Sequence, residues 1–154
     1  HDSISAPDPD VWFTHGYTYA GHPVASAVAL KNIEIIERED LCGNAARVGD
    51  YLEERLKGLS DLPIVGDVRG KRLMMCVEYV KDKTTREKLP DDVHISKRIS
   101  NLCEANGLMV RPIGHLDVLS PPLTITKGDV DFVVDTLGGA IRQVTDELVR
   151  EGAI

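Results

Sequence analysis

Apolar positions recur along this chain with two periods, and these predict most of its elements. From Pro23 to about Arg38 the run Val24-Ala25-Ser26-Ala27-Val28-Ala29-Leu30 is followed by Ile33, Ile35 and Ile36. The run is apolar on more than one face, as expected of a helix enclosed by other elements. Pro23 suits its first turn, because the missing N–H costs nothing there. Leu41, Ala45, Val48, Leu52 and Leu56 recur at steps of four and three, which predicts a second helix over 41–57, with Gly58 as its stop. Residues 64–68 and 73–80 read as strands of a hairpin turning at Gly70-Lys71, and the charged stretch 81–88 as a solvated connection. Asp91 or Asp92 is placed to cap a third helix carrying Ile95, Ile99, Leu102 and Cys103 on one stripe, with Gly107 past its end. Residues 108–113 and 116–119 read as two further strands around Gly114-His115, with Pro112 confined to an edge or bulge. Thr126 caps the last helix, Asp129 follows in a capping-box place, and Val130, Val133, Leu137, Ile141, Val144 and Leu148 form its stripe. Gly138-Gly139 interrupts that helix at about 1 kcal/mol per glycine relative to alanine, so close packing is expected there.

Helices, two strands, a helix, two strands and a helix make an α+β fold, with a small, mostly antiparallel sheet backed by helices. Residues 1–21, rich in Pro, Gly, Asp and Ser, read as irregular. The chain starts without an initiator Met and reads as the middle of a longer chain or as a cloning scar.

Composition narrows the function without naming it. The chain has 154 residues, enough for one domain with a real core. Its 18 basic and 25 acidic residues give a net charge of −7, which argues against nucleic acid or an anionic membrane as the main partner. Cys42, Cys76 and Cys103 are far apart, with no CxxC and no zinc spacing. They read as small buried apolar residues in a reducing, cytoplasmic compartment.

Binding chemistry is densest at Phe13-Thr14-His15-Gly16-Tyr17-Thr18-Tyr19-Ala20-Gly21-His22-Pro23. A helix starting at Pro23 leaves free N–H groups directed at that loop, a place to hold an anion near Tyr17 and Thr18; the plainer reading is a Gly-rich turn and nothing more. Arg111 stands in an otherwise apolar strand directly before Pro112. It either holds a ligand carboxylate or is an edge-strand arginine facing water or pairing with Asp117 across the hairpin. His15, His22, His94 and His115 form no triad or metal pattern, and Ser26 sits on no nucleophile elbow. The lysines fall at charged, polar or turn positions, unlike a desolvated catalytic lysine.

Taken in order, several motifs resemble one family. His15-Gly16-Tyr17-Thr18-Tyr19-Ala20-Gly21-His22-Pro23 with its small-residue helix is similar to the loop and helix of class III aminotransferases, fold type I enzymes that use pyridoxal phosphate. The likeness continues through Asp67-Val68-Arg69-Gly70 with Leu73-Met74, then Gly107-Leu108-Met109-Val110-Arg111-Pro112 and Ser120-Pro121-Pro122-Leu123. It covers nearly all of the chain, and is nearest the omega-amino acid, or beta-alanine to pyruvate, branch.

The resemblance implies that Tyr17 and Thr18 contact the cofactor phosphate bound by the other subunit of a homodimer, and that Arg111 pairs with the substrate carboxylate. It implies that residues 1–22 are the tail of the large cofactor-binding domain and 23–154 the C-terminal small domain. The Schiff-base lysine of the family lies upstream of this signature, so the chain by itself is expected to be an inactive portion of a transaminase. Its parent would move an amino group from an omega-amino acid or amine to an oxoacid such as pyruvate. Ornithine, acetylornithine and 4-aminobutyrate transaminases and the glutamate semialdehyde aminomutase are alternative branches, and a free-standing α+β ligand-binding or interaction domain is the alternative of another class.

Overall fold

The structure is a computed structural model that describes residues 16–154; Phe13, Thr14 and His15 lie outside the described residues. The chain divides into two compact units, residues 1–39 and 40–154.

In the first unit a turn leads into α1 (Pro23–Arg38), with Pro23 at its first position. Its bounds agree with the apolar run, but its surroundings do not. No residue of α1 is buried, and Val24, Val28, Leu30 and Ile33 are exposed. Small apolar residues on several faces need neighbours to cover them, and in α1 only Ile35 and Ile36 are partly covered.

The second unit is a two-layer α+β structure. Its elements are α2 (Leu41–Lys57), β1 (Val65–Lys71), β2 (Met74–Tyr79), α3 (Ile95–Ala105), β3 (Arg111–Ile113), β4 (Leu116–Leu119) and α4 (Lys127–Glu151). The four strands form one antiparallel sheet in the order β1-β2-β4-β3, which leaves Pro112 on an edge strand, where its missing N–H costs no ladder bond. Strand alternation separates the two faces. Met75, Val77 and Tyr79 are buried against the helices, with Leu119 opposite Met75 and Asp117 opposite Val77. Helices α2, α3 and α4 close the core through Leu52, Leu56, Ile99, Leu137, Ile141 and Leu148, all inaccessible to solvent. Thr126 caps α4 in a reciprocal box with Asp129.

Local structure departs from expectation at several points. The β1–β2 hairpin turns at Arg72-Leu73, with Lys71 opposite Met74 and Arg72 at φ 55. Gly70 lies in the strand, where a Cβ would collide with the Met74 carbonyl oxygen; it answers a close approach of backbone rather than a turn. Asp91 and Asp92 do not cap α3. They lie in a single 3-10 turn over Asp91–Val93, and His94 at φ 49 precedes the helix without a side-chain cap. Gly58 ends α2 in a right-handed conformation, φ −63, so the glycine's freedom is not used. Close packing at the α4 glycines holds only at Gly138, where a Cβ would come within 3.1 Å of the Leu59 side chain; Gly139 faces open space. Cys103 is buried as expected, whereas Cys76 is half-buried on the outer sheet face and Cys42 is exposed near the start of α2.

Candidate functional site

The residues singled out from sequence fall in two places, one in each unit. In the first, the turn before α1 is closed by Ala20 N–H donating to the Tyr17 carbonyl at 2.9 Å, and Gly21 takes φ 73. His22 stands at the helix N-cap without a side-chain bond to the helix. The first helical bond runs from Ser26 N–H to the His22 carbonyl at 2.9 Å. N–H groups before it are the unsatisfied donors of a helix start. Tyr17 and Thr18 are both exposed at this turn. Exposed hydroxyls on a turn that leads into a helix start, with its free N–H groups and the positive end of the helix dipole, are groups of a kind suited to a phosphate dianion, so the chemistry of these residues fits the phosphate end of a pyridoxal cofactor.

In the second unit, Arg111 opens the edge strand β3. It lies opposite Val118, which in turn lies opposite Cys76, so all three share the outer face of the sheet, away from the helices. Asp117 is opposite Pro112 and points the other way. The Arg111–Asp117 pairing considered from sequence is therefore absent. Arg111 is exposed, and among the described residues no carboxylate forms an ion pair with it. Beside it lies a cleft of about 920 Å³ whose walls include Met109, Arg111, Val118, Pro121 and Phe132. Met109 and Phe132 are largely exposed. The chemistry of a guanidinium at the lip of an apolar cleft suits a carboxylate with a hydrocarbon part.

Other expectations can be placed as well. Every lysine of the chain is exposed. Lys31, Lys57, Lys81 and Lys88 lie within ion-pair distance of glutamates, and Lys127 lies over the Tyr51 ring. None is a desolvated amine. Among the described residues there is no group of three His, Cys, Asp or Glu side chains able to hold a metal, and no helix is long and apolar enough to cross a membrane.

The sequence reading missed one pair. Asp117 is fully buried, and its Oδ2 accepts from Tyr79 Oη at 2.7 Å. Burial pushes the Asp117 carboxyl up to about 6, with the Tyr79 hydrogen bond opposing the rise. The signal was present: in Leu116-Asp117-Val118-Leu119, period-two alternation puts Asp117 on the same face as Leu119.

Comparison with known proteins decides the family. The Aminotransferase class-III family matches residues 3–141. This chain belongs to the class-III aminotransferases. It is 43% identical to an uncharacterized aminotransferase of Sinorhizobium fredii over 143 residues, covering 91% of this chain and 31% of that protein. A diaminobutyrate–2-oxoglutarate transaminase of Halomonas elongata is 41% identical, with 91% of this chain and 30% of that protein covered. Among solved structures, the PMP-bound form of an aminotransferase from Vibrio fluvialis superposes with a TM-score of 0.82 at 39% identity, over 88% of this chain and 30% of that one. The chain thus spans about a third of the length of the relatives it matches, and its fold is that of the corresponding portion of an aminotransferase.

Proposed function

We propose that this class-III chain is the C-terminal part of a pyridoxal-phosphate-dependent transaminase that moves an amino group from an omega-amino acid or amine to an oxoacid such as pyruvate. The observation that carries the substrate side is Arg111, a guanidinium without an ion-pair partner among the described residues, on an edge strand beside an apolar cleft. Its fork pairs with the carboxylate of the amino donor or oxoacid, while the apolar wall takes the hydrocarbon part. The chain's other contribution is the turn before α1. Thr18, with Tyr17 and the helix-start N–H groups, binds the cofactor phosphate held mainly by the partner subunit of a homodimer, and so fixes the position of the ring. When bound, the cofactor supplies an electron sink; these residues supply binding and orientation. The lysine that anchors the cofactor is assigned to the part of the parent outside this chain. Residues 1–22 then close the large domain and 23–154 form the small domain, with α1 as the helix that follows the boundary.

Three measurements test this reading. The full-length protein, loaded with pyridoxal phosphate, is expected to convert beta-alanine and pyruvate to the transaminated pair, and the 154-residue chain alone is expected to do nothing. Thr18→Val is expected to raise the pyridoxal phosphate concentration needed for half-activity. A full-length protein inactive with every amino donor, or a Thr18 variant with unchanged cofactor demand, overturns the corresponding assignment. A second reading, 2-oxoglutarate as the acceptor, is favoured by the name of the Halomonas relative; the ratio of rates with pyruvate and 2-oxoglutarate separates the two.

A further inference from the structure

An ionisable pair in the core is used neither by the cleft nor by the turn before α1. Asp117 of β4 lies between Val77 of β2 and Pro112 of β3, with no exposed surface. Its Oδ2 accepts from the hydroxyl of Tyr79, itself fully buried, and its Oδ1 has no hydrogen-bond partner among the described residues.

The groups around the pair do not neutralise it. From β2 come Tyr79 and, on the opposite face, Cys76; from α3 comes Cys103. Each of these is neutral or negative. Arg111 of β3 is directed to the outer face, Arg98 of α3 is engaged by Glu147 and Glu151 of α4, and His115 in the β3–β4 turn meets the Leu89 carbonyl at 2.7 Å. A buried carboxylate with one orphaned oxygen and no cation against it is costly, and protonation is the inexpensive remedy.

We propose that Asp117 and Tyr79 form a proton-operated latch at the β2–β4 seam. With a proton on Oδ1 the pair is neutral, and the β3–β4 hairpin, which carries Arg111, is held against α3. Loss of the proton leaves a buried charge and loosens the hairpin. The Tyr79 hydroxyl ties Asp117 to β2, and the backbone seconds the link: Tyr79 N–H donates to the His115 carbonyl at 2.9 Å. An Asp117 carboxyl raised to about 6 sets the working range at mildly acidic pH. Because an exposed aspartate titrates near 3.9, opening of the hairpin becomes about tenfold more favourable between pH 5 and pH 8. The latch is a property of the fold and does not depend on what occupies the cleft.

Hydrogen exchange on the full-length protein, read by mass at peptides covering 111–119 and corrected for intrinsic rates, tests the latch against α2 as an internal control. Wild-type protection of β3–β4 is expected to fall about tenfold from pH 5 to pH 8, relative to α2. Asp117→Asn removes the titration and is expected to make that ratio independent of pH. Tyr79→Phe removes the bond that favours the charged form and is expected to move the transition to higher pH. Unchanged wild-type protection between the two pH values overturns the proposal even where a variant does not fold, and a pH dependence that survives in Asp117→Asn overturns it as well.

Discussion

Two glycine-to-alanine substitutions, both within helices of the second unit, are expected to change stability in opposite directions. Gly139 lies in α4 on the exposed side, and a Cβ built there meets nothing within 4 Å. Gly139→Ala therefore gains only the helix propensity difference, about 1 kcal/mol. Gly49 lies in α2 against the β1–β2 turn. A Cβ there would stand 2.8 Å from Arg72 Cα and 2.9 Å from Arg72 C. Those are backbone atoms of a two-residue turn whose flanking strands are paired, so the turn cannot simply rotate a side chain aside. The same propensity gain of about 1 kcal/mol is set against an overpacking cost of roughly 1–3 kcal/mol, so Gly49→Ala is expected to gain nothing and to lose up to about 2 kcal/mol. Urea unfolding of the 154-residue chain measures both. With a slope of about 1–3 kcal/mol/M, the midpoints move apart, up for Gly139→Ala and down for Gly49→Ala. Equal stabilisation by the two substitutions would refute the argument that α2 is packed directly onto the hairpin.

Further outcomes follow from the caps and the helix ties. Thr126→Ala removes the hydroxyl that accepts from Asp129 N–H at 3.2 Å and is expected to cost about 1 kcal/mol; Thr126→Ser should restore most of it in the same unfolding assay. Arg98 joins α3 to α4 through Glu147 and Glu151, both held below the usual carboxylate range by its guanidinium. The stability these glutamates contribute is present at neutral pH and is lost as pH falls through their lowered range. Arg98→Gln is expected to flatten the acid limb of a stability profile, and 1 M salt should shrink the difference from wild type.

Much of this architecture was legible because it follows from periodicity. The stripe from Val130 to Leu148 and the recurrence from Ala45 to Leu56 fix α4 and α2, and Pro112 confines its strand to an edge or a bulge. What was not legible depends on contacts between segments distant in sequence. Gly70-Lys71 has the composition of a turn, yet the approach of Met74 and Met75 keeps Gly70 in the strand. The Arg111–Asp117 alternative failed on register: one residue decides which face a side chain occupies, and the register of a three-residue strand is not written in its composition. Asp117 was an aspartate in a strand until Tyr79, 38 positions earlier, was found donating to it. Tyr17, Thr18 and Arg111 came from ordered motifs; the cleft walls at Met109 and Phe132 needed the fold, since exposure of an apolar residue is not a sequence property.

The proposed chemistry rests on Arg111 as the carboxylate receptor. Steady-state kinetics of the full-length protein with Arg111→Ala, using beta-alanine and, in parallel, propylamine as donors, tests it most directly. Loss of a bidentate, charge-assisted pair is worth roughly 1.5–3 kcal/mol. The kcat/KM for beta-alanine is therefore expected to fall about 10- to 100-fold more than that for propylamine, which has no carboxylate to lose. An equal effect on both donors, or none on either, would contradict the assignment.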